Sequence, residues 1–281
     1  MLTLPNASCP LTAQLQARYI KFQQSARLPK RLAVKASPPL LVCPHERWHS
    51  ARVKLLIVGQ ETRRWMYNPS EVGELDDPIE NFWEFSRAKH GVGAMSNLYR
   101  WYALGRVHPR LNSPFWRGFR AIDSAINGAQ DAALWTNVFK VNVNGSVMKN
   151  CKAAEVAALQ RAQKGLLAEE IAILNPDVVV FFSGPRYESA LRCEFPDMKI
   201  SPLSRRTPAS AVGVVRAAGL PVRTIRTYHP EYLQRSRQLG VLSVISRWAG
   251  LCPQPAIGAS QTHAVNQHPD SEIGAPKPRR R

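Results

Sequence analysis

The chain reads as an α/β protein: a three-layer α/β/α sandwich around a central, mostly parallel sheet of about four strands. Three observations predict this. Short apolar runs recur at 53–58, 134–139, 177–183 and 221–228. Segments with helical apolar spacing fill the intervals, and strands alternating with helices are the pattern of a doubly wound sheet. The third run, "DVVVFFSG", is continuously β-branched and aromatic, as expected of a strand covered on both faces.

Taken in order, the elements begin with "MLTLPNASCPLTAQLQARYIKF". It lacks the basic start and continuous apolar core of a secretory signal. No later stretch approaches the roughly 20 apolar residues of a membrane-spanning helix, so a soluble, cytoplasmic protein without membrane contact is expected. A helix is expected over 11–28. The Pro-rich "LPKRLAVKASPPLLVCP" then completes a peripheral region, 1–48, ahead of an α/β domain at 49–251.

After the first strand, "PIENFWEFSRAKH", "SNLYRWYALG" and "PFWRGFRAIDSAI" supply helices. "AAEVAALQRAQKGLLAEEIAILNPD" places Val156, Leu159, Leu166, Leu167, Ile171 and Leu174 on one broad face and stops at Pro176, which cannot continue a helix. The fourth strand, "PVRTIRTYH", alternates and carries arginines, which suits a sheet edge. A helix follows in "PEYLQRSRQLGVLSVISRWAG". Residues 252–281 are rich in Pro, Ser, Gln and Gly and are expected to be a disordered basic tail.

Thirty-eight Lys and Arg stand against twenty Asp and Glu, a net charge of +18. The four cations of "PKPRRR" account for part of it, and +14 remains without them. Such an excess favours a polyanionic partner, above all nucleic acid. Five scattered cysteines with no C-x-x-C pair argue against a disulfide framework or a zinc ribbon. No ligand cluster of His, Cys and Asp suggests a metal, and no cofactor is expected. The absence of a G-x-S-x-G elbow and of a Gly-rich phosphate loop leaves a nucleotide-directed α/β hydrolase without support.

Open parallel sheets bind ligands beyond the carboxyl ends of their strands. The residues there are "GQETRRW", "WTNVFKVNVN", "SGPRY" and "YHPEYLQR". Gly59 and Gly184 fall where backbone turns sharply or meets a ligand. Glu61, Asn137 and His229 are then aimed at one crevice. Each alone has a structural reading: a surface charge, a loop-stabilising amide, a residue at a helix start.

Taken together, their order resembles the uracil-DNA glycosylase superfamily over roughly 50–250. The counterparts of its three loops are Gly59-Gln60-Glu61, Thr136-Asn137-Val138 and His229-Pro230-Glu231. "LLAEEIAILNPDVVVFFSG" is similar to the helix-then-strand segment of the iron–sulfur branch, although the cysteines that hold the cluster there are missing. Thr62-Arg63-Arg64 replaces the Pro and aromatic that follow the acid in some branches, and residues 68–110 have no counterpart.

The resemblance implies hydrolysis of the N-glycosidic bond of uracil or another modified base in DNA, by a monomer. His229 would donate to a pyrimidine carbonyl oxygen as negative charge develops on the leaving base. Glu61 would orient the attacking water. Asn137, offering donor and acceptor together, would read the base edge with Gln60, and Phe115 would stack on the flipped base. Trp65, Tyr67 and Trp116 compete for that last role. Leu233 would enter the vacated space in the duplex, and Arg63, Arg64, Arg186 and Arg235 would engage phosphates. The alternative is a non-catalytic nucleic-acid-binding member of the same fold.

Overall fold

A computed structural model describes residues 9–62, 65–66, 78–104, 112–128, 131–205 and 207–251. The tail at 252–281, Arg63, Arg64 and Tyr67 lie outside the described residues, as do 68–77 and 105–110. Among the described residues no helix is long and apolar enough to cross a membrane.

The elements, in chain order, are α1 (Pro10–Ser25), α2 (Lys30–Ala33), α3 (Glu46–Ser50), β1 (Leu55–Gly59), α4 (Phe82–Phe85), α5 (Gly91–Ala103), α6 (Pro114–Asn127) and β2 (Leu134–Asn137). They continue with α7 (Val147–Asn150), α8 (Ala153–Ala162), α9 (Leu166–Leu174), β3 (Val178–Phe181), α10 (Glu188–Glu194), β4 (Lys199–Pro202), β5 (Val212–Arg216), β6 (Arg223–Thr227), α11 (Pro230–Arg235) and α12 (Gly240–Leu251).

The strands form one mixed sheet in the order β2-β1-β3-β6-β5-β4. The first four are mutually parallel, and β5 and β4 extend the sheet antiparallel. Every residue of β1, β2 and β3 is buried, which is why β1 and β3 read as unbroken apolar runs. The chain leaves β1 toward β2, then crosses back to β3 on the other side, so the strand order reverses between β1 and β3.

Among the described residues six strands replace the four expected, and β6 is interior rather than an edge. The arginines that suggested an edge are neutralised internally. Arg226 is buried, pairs with the Glu188 carboxylate and donates to the Ser210 carbonyl at 2.7 Å. Arg223 donates to the Ala249 carbonyl at 3.0 Å. The missed edge strand β4 is largely exposed, so it lacks the apolar signal of a core strand.

Helix boundaries follow local chemistry. In α6, Ser113 accepts from the Trp116 N–H, Pro114 occupies the first turn and Gly128 closes the helix at φ 69°. The single helix expected over the "AAEVAAL…" segment breaks at Gly165, φ 79°. There the Glu194 carboxylate accepts from the N–H groups of Gly165, Leu167 and Ala168 at 3.0, 3.1 and 3.3 Å, giving α9 an N-terminus of its own.

The N-terminal region is not peripheral. Leu15, Tyr19 and Phe22 of α1 and the connector residues Leu40, Leu41 and Val42 belong to the main core. Leu40 N–H donates to the Lys140 carbonyl at 2.7 Å and Ser37 N–H to that of Asn142 at 2.8 Å. Prolines made the connector look like a linker, but its backbone pairs with the loop that leaves β2.

Candidate functional site

The reversal between β1 and β3 is bridged by Gln60, whose Nε2 donates to the Ser183 carbonyl at 3.0 Å. Beyond β1, the Gly59 and Gln60 carbonyls accept from Val138 and Phe139 N–H at 3.0 and 2.9 Å. The loop after β2 is thereby laid alongside the Gly-Gln turn, with Gly59 directly opposite Asn137.

Gly59 is required by space rather than by backbone angle. A Cβ there would run into the Asn137 carboxamide and lie 3.1 Å from Phe115 Cε2. Three sequence-predicted residues therefore meet at one point. Asn137 is largely buried. With its carboxamide oriented by its neighbours, Nδ2 donates to the Thr136 carbonyl at 2.9 Å and Oδ1 accepts from Thr62 N–H at 3.1 Å. A carboxamide holds two donor hydrogens and two acceptor lone pairs, so these contacts fix its orientation and leave capacity for a ligand.

The Phe115 ring stacks against His229, with centroids 5.9 Å apart and planes 21° from parallel, and meets Phe182 edge-on. One helical turn along α6, Gly118 allows Pro230 to approach: a Cβ at Gly118 would lie 2.7 Å from Pro230 Cγ. Close packing of α6 on α11 thus sets His229 beside Phe115. His229 Nδ1 accepts from Glu231 N–H at 3.2 Å. In a neutral ring this leaves the proton on Nε2, which makes that atom a donor. At the neighbouring strand end, Gly184 adopts φ 67° and its N–H donates to the Thr227 carbonyl at 2.9 Å.

The Glu61 carboxylate is held on both oxygens. Val147 N–H, at the start of α7, donates to one at 2.6 Å, and the Tyr187 hydroxyl donates to the other at 3.0 Å. Burial raises the Tyr187 phenol well above its ordinary range, and the adjacent Glu61 charge pushes it the same way. Burial also pushes the nearby Cys151 thiol up to about 11, so it stays protonated at neutral pH.

Beside Thr136, the neighbour of Asn137 in β2, lies an ion pair that no local pattern signals. Lys140 and Glu170 are fully buried and paired. Thr136 Oγ1 and the Tyr19 hydroxyl each donate to the Glu170 carboxylate at 2.9 Å, and Lys140 Nζ also reaches Thr136. Burial lowers the Lys140 pKa, while the Glu170 charge opposes that shift. Two hydroxyls at the strand ends, Thr62 Oγ1 and Ser183 Oγ, are buried without a hydrogen-bond partner among the described residues.

Other expected contributors fall differently. Trp65 and Trp116 pack on Trp135, and Trp65 is buried with its indole N–H on the Pro39 carbonyl; Phe115 is the aromatic at the junction. Leu233 is fully buried, which overturns its expected insertion into a duplex, because an inserting side chain must project. Pro230 and Leu233 share the inward face of α11, and Tyr232 on another face is 41% exposed with its ring 4.3 Å from that of Tyr228. The three-residue spacing of Pro230 and Leu233 was the available signal. Arg186 and Arg235 are exposed.

Among the described residues no group of three or more His, Cys, Asp and Glu is placed to hold a metal ion. The arrangement offers a donor at His229, a fixed carboxamide at Asn137, an oriented carboxylate at Glu61 and an aromatic wall. In comparisons with known proteins, no protein-family model and no curated sequence matches the chain.

Proposed function

We propose that the chain is a uracil-DNA glycosylase-like hydrolase with a three-layer α/β/α architecture, acting on uracil or another modified base in DNA. The observation that carries this reading is the meeting of Gly59, Asn137, Phe115 and His229 beyond the carboxyl ends of β1, β2 and β6. The order of the strand-end motifs and the basic composition support it.

In this reading the base lies against Phe115 with its polar edge toward Asn137. Water adds to the sugar carbon as the glycosidic bond breaks, the electron pair leaves with the base, and the proton the water sheds passes by Glu61 to solvent, from which the base anion takes one up. His229 Nε2–H donates to the carbonyl oxygen where that charge collects. Glu61, fixed by Val147 and Tyr187, orients the water and favours the cationic sugar. The basic surface holds the phosphates, with Arg186 and Arg235 contributing from exposed positions.

A second reading, a binding module of the same fold without cleavage, is favoured by one observation. Both Glu61 oxygens already serve the protein's own structure. A panel of oligonucleotides carrying different base lesions, scored for alkali-labile sites after single-turnover incubation, separates the two. Strand breaks at one lesion establish the hydrolase. Binding without breaks across the panel establishes the module.

A further inference from the structure

Away from the strand-end junction, an open groove of about 370 Å³ runs between α1, α2 and α4. Gln24, Arg27, Phe82, Trp83 and Arg87 line it. The Arg87 guanidinium carbon lies over the Trp83 indole, 3.1 Å from the ring centroid, and the group donates to the Trp83 carbonyl and the Ser86 hydroxyl. Lys30 Nζ stands 5.1 Å from the same ring. Arg27, Lys30 and Arg87 are exposed, and none makes an ion pair among the described residues. The nearby Glu84 carboxylate is occupied by the Glu80 N–H and the Asn81 amide.

Among the described residues, Arg27 and Arg87 line the groove and Lys30 stands at its indole without acidic partners, so positive charge gathers there and favours an anion. Their position is also specific. Phe82 N–H donates to the Ala36 carbonyl at 2.8 Å, and Ala36 pairs with Val143 in the loop that leaves β2. The groove is therefore tied through Ala36 to the loop that leaves β2, the strand that ends in Asn137.

We propose that this groove is a second contact for nucleic acid, taking the phosphates of a strand that extends past the strand-end crevice. Arg27, Lys30 and Arg87 meet the backbone, and Trp83, backed by Arg87, offers an aromatic edge to a base or sugar. The identity of the polyanion rests on the function proposed above. An open groove suits a chain passing through it better than a small enclosed anion.

The test compares the wild type with the combined Arg27→Gln, Lys30→Gln, Arg87→Gln variant. Binding of a short and a long single-stranded oligonucleotide is measured across a salt series, with lesion cleavage in parallel. The long oligonucleotide should lose roughly tenfold in affinity at low salt. Its log–log salt slope should shrink by about 0.7 per phosphate contact removed, roughly 2 in all. The short oligonucleotide, which fills only the crevice, should bind both proteins alike. Lys199→Gln, at the opposite edge of the sheet, should leave the slope unchanged.

An unchanged slope for the long oligonucleotide overturns the proposal. Equal losses for both lengths also overturn it, because they report net charge alone. Loss of binding to a phosphorylated acidic peptide, with DNA binding intact, overturns it in favour of a protein partner. Cleavage reports separately. A protein that cleaves nothing yet shows the length-dependent slope keeps the groove and loses the hydrolase, and a cleaving protein with an unchanged slope does the reverse.

Discussion

His229 and Gly59 carry the sharpest consequences of the site's geometry. If His229 Nε2–H stabilises the departing base, His229→Ala should slow single-turnover cleavage by roughly two to three orders of magnitude, the usual effect of losing one preorganised donor. Affinity for uncleaved DNA should hardly move, since phosphates dominate it. Cleavage at the wild-type rate would remove His229 from the chemistry. Gly59→Ala tests the junction from the other side. The new methyl must displace Asn137 or Phe115, and overpacking of this kind costs about 1–3 kcal/mol. Cleavage should fall far more than the melting temperature. A variant that loses stability alone would show that the approach of Gly59 to Asn137 serves packing.

At the scale of elements, α9 offers a controlled comparison between two adjacent glutamates. Glu169 pairs with Arg18 while itself well exposed, and Glu170 pairs with Lys140 in full burial. Glu169→Ala should cost about 0–1 kcal/mol, the usual worth of a surface pair. Glu170→Ala should cost about 3–5 kcal/mol, because it strands a buried ammonium. Denaturant unfolding of the two variants checks the difference, and equal costs would mean that Lys140 sheds its charge or finds water.

The same contrast explains what the sequence could show. β1 and β3 were legible because strands buried on both faces are apolar throughout. The meeting of Asn137 and His229 was legible because both stand at the carboxyl ends of parallel strands in one sheet. β4 escaped notice because an exposed edge strand has no such pattern. The arginines of β6 misled because their partners, Glu188 and the Ser210 and Ala249 carbonyls, lie elsewhere in the chain. Tyr187 met Glu61 across 126 positions, and Gly118 met Pro230 by packing alone, contacts that no local spacing encodes.

For the molecule as a whole, acid stability should carry the mark of His45. Burial holds its imidazole neutral and lowers its pKa from 6.5 to about 4, with Arg47 acting in the same sense. The unfolded chain therefore binds a proton that the folded one refuses between those two values. The stability this histidine contributes is present above pH 6.5. It is lost as the pH falls toward about 4 and changes no further below that. The loss is at most about 3 kcal/mol. Asp123 and Glu194, both raised by burial, act in the opposite sense at the acid end, so the difference between the wild type and His45→Asn isolates the histidine. Asparagine retains an acceptor for the Trp48 N–H that His45 caps. The variant should lose less stability between neutral and mildly acid pH, and parallel profiles would show that His45 is protonated without cost.

The hydrogen bond from Tyr19 to Glu170 joins positions 151 residues apart, and it steadies the segment that presents Asn137. The loop it closes contains β1, α6 and β2, while His229 lies beyond it. A ribosome-bound chain therefore holds α1 without its anchor until α9 has emerged. The crevice cannot exist before α11 emerges. Non-local closure of this kind slows folding and leaves apolar strands uncovered in the interval. The growing chain consequently exposes the very strands it must later cover, and a product that stops short of residue 229 carries its strand ends without the histidine that closes the junction.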